Sequence, residues 1–160
     1  MGKILFVTNF SGKKEVLEDI SYIALKAKAG DANYQAVSAY IAQALDYIKD
    51  IPVPEGDNDY LLGWDTTDHW DDERPLKFIV VKKAKSQPSV FEFRINWDPL
   101  YFRALFFVDD VDQEQIKFLT RSLMKQEKNP PELQHKINET ELTAVVYKSN
   151  PAKYVREWSK

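Results

Sequence analysis

The sequence has no cysteine, only two histidines and no apolar run long enough to span a membrane. The lack of cysteine excludes disulfide bonds, thiolate metal sites and cysteine nucleophiles. The apolar stretches stay well below the roughly 20 residues that a bilayer-spanning helix needs. The opening stretch, MGKILFVTNF, turns polar too early for a secretory signal peptide. We therefore expect a cytoplasmic protein without a membrane partner.

Composition and charge predict one folded domain over residues 1–160 in which the charge is unevenly spread. Hydrophobic residues make up 44% of the chain and aromatic residues 13%, which is typical of a globular protein. The net charge is −3, yet eight acids and no lysine or arginine lie between residues 52 and 73; without these acids the charge would be +5. Because two prolines and two glycines accompany them, we predict an acidic insertion or surface flap, in loop conformation, at about 52–75.

Hydrophobic periodicity predicts the element order β-α-α-β-β-β-β-α. Apolar residues recur at helical spacing in two successive segments, which are separated at Gly30 and end before Pro52. A third helix is predicted to start at Pro130 or Pro131. The predicted strands are residues 3–8, 76–83, 91–97, 101–108 and 115–124. This order predicts an α+β fold in which an N-terminal strand and a helix hairpin pack on an antiparallel sheet, with a helix at the C-terminus.

Strict alternation assigns the side chains of the two central strands to opposite faces of the sheet. The apolar row consists of Phe91, Phe93, Ile95, Trp97, Phe102, Ala104, Phe106 and Val108. Asp98-Pro99 suits a tight turn that pairs Asp98 with Tyr101, and so Asn96 with Arg103. In that register Arg94 and Arg103 lie on the same face, opposite the apolar row.

Several cations are predicted to converge on the face of Arg94, which we call the arginine face. Its predicted members are Arg94, Arg103, Lys117, Arg121 and Lys125, with Lys128 at the rim. Arginine offers planar, bidentate recognition of phosphate and lysine offers a point charge, so this face is a candidate phosphate-binding surface. The alternative is an ordinary water-facing side of an antiparallel sheet, on which Lys and Arg protect an edge strand from aggregation.

Other motifs that carry chemistry are absent or weak in the sequence. The chain has no phosphate-binding loop, no HExxH motif and no GxSxG motif. One group of residues has a spacing that suits a hard cation, namely Asp65, Asp68, His69, Asp71 and Asp72. Such a run is more often a solvated acidic loop, and His135 has polar neighbours on a helix, so we predict no metal site.

The order of the central motifs points to a known family. Two predicted helices precede FEFRI, FRALFFVDD and FLTRSLMKQEKNPPEL. This pattern resembles the RelE/ParE-like toxin superfamily and is most similar to its HigB and phage-derived HigB-like branch. In that comparison Arg94 and Arg103 fall on the two family arginines, Lys125 and Lys128 fall on family lysines, and Pro130 falls on the family proline.

The resemblance implies a RelE-like fold and the toxin component of a toxin–antitoxin or prophage system, usually a ribosome-dependent mRNA endoribonuclease. It implies an antitoxin protein, the ribosome and mRNA as partners, and neither a metal nor a cofactor. The implied catalytic residues are Arg94, Arg103, Lys125 and Lys128, which stabilise the charge that develops when a 2′-hydroxyl attacks phosphate. The implied RNA-binding residues are Lys117, Arg121, Tyr147 and Tyr154, the tyrosines by stacking on a base.

Three departures from the family pattern favour a second interpretation. Thr120 stands at the family histidine position, Met124 replaces the first of two paired lysines, and Gln126 replaces a threonine. The alternative is therefore a catalytically degenerate RelE-fold protein that binds a partner or regulates a mobile element. In either case we predict that the acidic segment lies near the arginine face and competes there with polyanions.

Overall fold

The computed structural model describes residues 2–125, 128 and 130–160. Within these residues the chain forms six strands and four helices. Their bounds are β1 (Gly2–Phe6), α1 (Glu15–Lys28), α2 (Ala32–Lys49), β2 (Leu61–Asp68), β3 (Asp71–Lys83), β4 (Phe91–Trp97), β5 (Leu100–Val111), β6 (Glu114–Lys125), α3 (Pro131–Ser149) and α4 (Pro151–Trp158). The predicted α+β class is confirmed. Among the described residues, no helix combines the length and the hydropathy that crossing a membrane requires.

All six strands belong to one sheet, in the spatial order β1-β6-β5-β4-β3-β2. Strands β2 to β6 pair with their neighbours in antiparallel fashion, as expected for hairpin connections, whereas β1 pairs with β6 in parallel. The sheet is therefore mixed, and the prediction of a purely antiparallel sheet is wrong at this edge. A parallel pair needs a long connection, and here all the other strands and the first two helices lie between β1 and β6.

Helices α1 and α2 form the predicted hairpin and cover one face of the sheet. Gly30 adopts φ = 104° after α1, a conformation that glycine tolerates well, and the Asp31 side chain then caps α2 by accepting a hydrogen bond from the Tyr34 N–H at 3.1 Å. The core beneath them contains the predicted apolar row, with Phe93 and Phe102 almost fully buried. Truncation of one such phenylalanine to alanine lowers the free energy of unfolding by about 3–5 kcal/mol, so burial of this row strongly favours the observed orientation of the sheet.

The opposite face is also covered over much of its length, by α3 and α4. Leu105 packs with Ile137 in one cluster, and Phe107 packs with Phe118 and Tyr147 in another. The expectation of a basic face open to water is therefore wrong for this part of the sheet. The reason lies in β5, because the row that carries Arg103 continues with Leu105 and Phe107, whose apolar surface is stabilised by a covering helix.

The acidic segment is largely β-structure, so the predicted loop conformation at about 52–75 is wrong beyond residue 60. Residues 61–68 form β2 and residues 71–75 begin β3. Trp64 of β2 stacks on Phe78 at a ring distance of 5.8 Å, and the Tyr40 hydroxyl of α2 donates to the Thr67 carbonyl at 3.0 Å. These contacts attach the hairpin to the main core, although most of its carboxylates remain exposed to water.

The turn of the β4–β5 hairpin lies one residue earlier than predicted, but the prediction about its faces is confirmed. Trp97 pairs with Leu100, which leaves only Asp98 and Pro99 in the turn. Arg103 is consequently paired with Arg94 rather than with Asn96. The observed pairing of the two strands is thus shifted by two residues from the predicted pairing. Because side chains alternate with a period of two, every side chain keeps its predicted face.

Candidate functional site

Arg94, Arg103 and Lys125 come together at the end of the arginine face that α3 leaves uncovered. Arg94 on β4 lies directly opposite Arg103 on β5, and Lys125 at the end of β6 pairs with Tyr101. Burial lowers the pKa of Lys125, and the nearby Arg103 and Arg94 cations lower it further, with a smaller effect of the exposed Lys128. The structure thus brings all four predicted catalytic residues into one electrostatic cluster.

Arg103 is the anchored member of this cluster. Its side chain is almost completely buried, and Nη1 donates to the Asn96 Oδ1 atom at 2.7 Å and to the Phe102 carbonyl at 2.9 Å. The Nε atom lies 3.7 Å from Glu92 Oε1. Burial, and then the Arg94 cation, lowers the pKa of Arg103 to about 10, although Glu92 acts in the opposite direction. The guanidinium is therefore held in place by the protein itself, before any ligand binds.

Arg94 has a different environment, because it lacks such anchoring. Its Nε atom is buried but finds no hydrogen-bond acceptor among the described residues. A buried donor on a charged group is costly when it is left without a partner. An anion bound at the accessible part of Arg94 would offset the repulsion between the like charges of Arg94 and Arg103.

A cleft borders Arg94 on the side of β3. Strands β3 and β4 pair only at Val81–Phe93, Lys82–Glu92 and Lys83–Phe91. Beyond these pairs β3 diverges from β4. The space between them is a cleft of about 550 Å³. Its walls are formed by Asp68, Arg74, Leu76, Lys77, Phe78, Ile79, Arg94, Asn96, Trp97 and Asp98. A small molecule or one unit of a polymer has room here.

Both carboxylates of the cleft already have partners. Asp68 is nearly buried and accepts a hydrogen bond from Arg74 Nη1 at 3.2 Å. Asp98 accepts one from the Tyr101 hydroxyl at 2.6 Å, and this bond is the main reason that the pKa of Tyr101 is raised. Asp68 belongs to the acidic segment, so at least one of its acids lines the same cleft as Arg94.

Lys117 lies on the other face of the sheet, so its predicted membership of the arginine face is wrong. The β5–β6 pairing has an irregularity between Leu105 and Phe106, which changes the side on which the first half of β6 presents its residues. The Lys117 ammonium donates instead to the Ile51 carbonyl at 2.8 Å and to the Lys49 carbonyl at 3.4 Å, at the C-terminal end of α2. Burial lowers its pKa to about 8. This lysine caps a helix and has no surface to offer RNA.

Arg121 is on the arginine face but is sealed beneath its cover. The guanidinium lies 4.7 Å from the centre of the Phe10 ring, and Nε lies 3.8 Å from Glu139 Oε2 of α3. Only 2% of the side chain is exposed. A direct contact between Arg121 and RNA, as predicted, is therefore incompatible with this arrangement, because Phe10 and α3 occupy the space above the guanidinium.

The two tyrosines predicted to stack on a base lie far along the face from Arg103, near α3 and α4. Tyr147 is fully buried, and its hydroxyl donates to Asp109 Oδ2 at 2.8 Å. Its ring packs against Phe118 at 4.6 Å. Tyr154 is half-buried against Trp158 at 5.1 Å. Base stacking on Tyr147 is excluded by this burial, and Tyr154 belongs to the packing of α4 rather than to the cation cluster.

The positions that depart from the family pattern are turned away from the cluster. Thr120 is buried beneath α3, with its Oγ1 atom 2.5 Å from Thr140 Oγ1. Met124 packs against the core under the α1–α2 hairpin. Gln126 lies outside the described residues. Neither Thr120 nor Met124 therefore has a side chain in position to act on a ligand held by Arg94.

The residues whose spacing suits a hard cation, Asp65, Asp68, His69, Asp71 and Asp72, lie on the β2–β3 hairpin. His69 at its tip contacts Trp70, with ring centres 4.5 Å apart. Across the part of the chain that the structure describes, no three His, Asp or Glu side chains are grouped so that they could hold a metal ion. His135 is exposed on α3, with Nε2 3.6 Å from Glu139 Oε1.

Sequence reasoning missed three polar residues that shape the site. Asn96 and Glu92 contact Arg103, and Tyr101 contacts Asp98 beside Lys125. Alternation along β4 places Asn96 and Glu92 on the face of Arg94, so the pattern contained the signal for both. The sequence gives no such signal for the cleft, which lies where β3 and β4 are no longer paired beyond Val81 and Phe93.

No protein-family model, curated protein or solved structure matches this chain. The function is therefore inferred from the geometry and chemistry of the site, together with the sequence motifs.

Proposed function

We propose that the protein is the RelE-like toxin component of a toxin–antitoxin or prophage system and cleaves mRNA on the ribosome, in the cytoplasm. The observation that carries this proposal is the cation cluster, in which anchored Arg103 lies opposite Arg94 and beside Lys125. Three neighbouring cations are suited to a phosphate that gains negative charge.

The reaction proposed for this site needs no cofactor. The 2′-oxygen of a ribose attacks the adjacent phosphorus, the P–O5′ bond breaks, and the products are a 2′,3′-cyclic phosphate and a free 5′-hydroxyl. The 2′-hydroxyl loses a proton and the 5′-oxygen gains one. Arg94 binds the phosphate oxygens and stabilises their additional charge, and Arg103, which is buried beneath this face, adds positive charge without contacting the RNA. Lys125 and Lys128 supply charge or a proton at the leaving oxygen, and the lowered pKa of Lys125 eases that transfer.

Two partners complete the proposal. The ribosome holds the mRNA so that the 2′-oxygen and the phosphorus are already aligned, which replaces the contribution of a strong base in the protein. An antitoxin protein that covers the cation cluster would block access of mRNA. An acidic antitoxin segment would complement Arg94 and Lys125 in charge, and it would bind in competition with RNA.

The second candidate is a catalytically degenerate RelE-fold protein with a binding or regulatory role in a mobile element. The placement of Thr120 and Met124 favours it, since neither side chain reaches the cluster. In that case the cation cluster binds a polyanion or an acidic protein and leaves it intact.

Toeprinting on translating ribosomes separates the two candidates. Arg94→Gln removes a guanidinium that makes none of the anchoring hydrogen bonds of Arg103, and Lys13→Gln removes the same charge from an exposed loop as a control. We expect new mRNA ends with the wild type and with Lys13→Gln, and about 10²- to 10³-fold slower cleavage with Arg94→Gln. An intact mRNA with folded wild type favours the binding protein, and unchanged cleavage by Arg94→Gln contradicts the assigned site.

A further inference from the structure

We infer that the cleft between β3 and β4 is a nucleotide subsite, which holds the base and ribose of an RNA residue whose phosphate is bound by Arg94. This inference rests on the proposed function, because it assumes that the cation cluster binds RNA phosphate. It adds a recognition element, in the form of a pocket for a single unstacked base, and so assigns the substrate as single-stranded RNA.

The shape of the cleft supports a nucleotide. Its volume of about 550 Å³ falls within the usual range for small-molecule sites. Leu76 and Ile79 provide apolar surface on the β3 side, and Trp97 provides an aromatic edge on the β4 side. A flat base has apolar faces, so it fits between such walls better than a compact inorganic anion does.

The polar groups of the cleft suit the edge of a base. Asn96 is exposed, and its amide carries donors in addition to the oxygen that accepts from Arg103. Asp98 is exposed and offers acceptor capacity beyond its bond to Tyr101, whereas both oxygens of Asp68 already accept, from Arg74 and from the Trp70 N–H. The Arg74 side chain is 66% exposed and presents a planar guanidinium, on which bases commonly stack.

Charge along the face favours a nucleic acid over a peptide. Arg94 lines this cleft and also a second one of about 430 Å³, whose other walls include Lys82 and Lys85 together with Asp59, which lies 3.8 Å from Lys85. Lys83 also borders it, but this lysine is buried and donates to the Ala84 and Gln87 carbonyls. Cations therefore continue on both sides of Arg94, and the buried Nε donor lies at the junction. A chain with one phosphate per residue meets a positive side chain at successive positions of such a path.

The test compares two ligands that differ only in the base, adenosine 5′-monophosphate and ribose 5-phosphate. Calorimetric titration of the wild type should give a dissociation constant about tenfold or more smaller for the nucleotide, since stacking of one base commonly contributes that much. Ile79→Arg fills the cleft from its exposed β3 wall and adds a positive charge. If only charge matters, this variant binds both ligands as well as or better than the wild type does.

We expect Ile79→Arg to abolish the preference for the nucleotide while ribose 5-phosphate still binds, and Lys13→Gln to keep the preference. Circular dichroism verifies that each variant is folded. Equal affinity of the wild type for the two ligands overturns the subsite and leaves the phosphate site intact. If neither ligand binds, or if Arg94→Gln weakens neither, the phosphate site and the subsite both fail. A base preference that survives in Ile79→Arg places the base elsewhere and overturns the assignment of this cleft.

Discussion

The pairing of Arg94 with Arg103 predicts that Arg94 weakens the fold when no anion is bound. Like charges directly opposite one another on a sheet are destabilising, by about 0.2–1 kcal/mol for one cross-strand pair. Burial lowers the pKa of Arg103, and the Arg94 cation opposite it lowers this pKa further. Arg94→Gln should therefore raise the free energy of unfolding by up to about 1 kcal/mol and the melting temperature by about 2–4 °C for a chain of this length.

The salt dependence of that gain identifies its cause. The gain should be largest at low ionic strength, and it should shrink at about 1 M NaCl, where the Debye length is only about 3 Å. Lys13→Gln removes the same charge from an exposed loop and should change the stability by less than about 0.5 kcal/mol. Inorganic phosphate should stabilise the wild type more than it stabilises Arg94→Gln. A ligand that binds the folded state raises the free energy of unfolding, and the variant lacks the guanidinium group that would bind phosphate.

Urea denaturation of the three proteins at both salt concentrations is the assay. The reasoning is refuted if Arg94→Gln is less stable than the wild type at low salt, since Arg94 would then make a favourable contact that repulsion does not outweigh. A gain that is equal at both salt concentrations would also refute it. In that case the side chain acts through packing or conformational entropy, and the two guanidinium groups are not in electrostatic conflict.

Three further predictions concern other buried or charged groups. Tyr147→Phe removes a buried hydroxyl that donates to a carboxylate of β5, and it should lower the free energy of unfolding by about 1–3 kcal/mol in urea denaturation. Because the folded pKa of Lys117 is about 8, against 10.5 for an ordinary lysine, the unfolded chain binds more protons between these values. Stability should therefore rise with pH across that window, and Lys117→Met should remove this contribution to the slope. Joint substitution of Asp57 and Asp59 by Asn should raise the affinity for single-stranded RNA, whereas Asp46→Asn on α2 should not; equal effects would contradict a masking role of the acidic segment.

Local alternation was sufficient to predict the faces of β4 and β5. A shift of the strand register by one residue would expose the buried apolar row, so such a shift is excluded. It was insufficient for β6. Ile116 and Phe118 are buried as expected, but they pack under α3 and α4, and the irregularity opposite Leu105 and Phe106 sends Lys117 to the α2 side. No residue in the sequence marks that irregularity.

In the acidic segment, the charge of the residues concealed a strand pattern. Its charge and its prolines predicted a loop, and residues 51–60 are indeed irregular. Beyond them Leu62 and Trp64 alternate with polar residues, which is a strand pattern that the density of carboxylates obscured. The resulting hairpin matters for the site, because β3 is the strand that diverges from β4 and forms the cleft beside Arg94.

The distribution of cations on the sheet separates structural roles from a binding role. Lys117 and Arg121 are buried and contact carbonyl or carboxylate oxygens of the protein, although Arg121 Nη2, like Arg94 Nε, has no acceptor among the described residues. Arg94 has a buried donor without an acceptor among the described residues, and it faces a second guanidinium across the strand pair. Folding alone gives no reason to keep a side chain that costs stability in this way. A ligand that supplies negative charge at Arg94 does give one, whether the protein cleaves that ligand or only binds it.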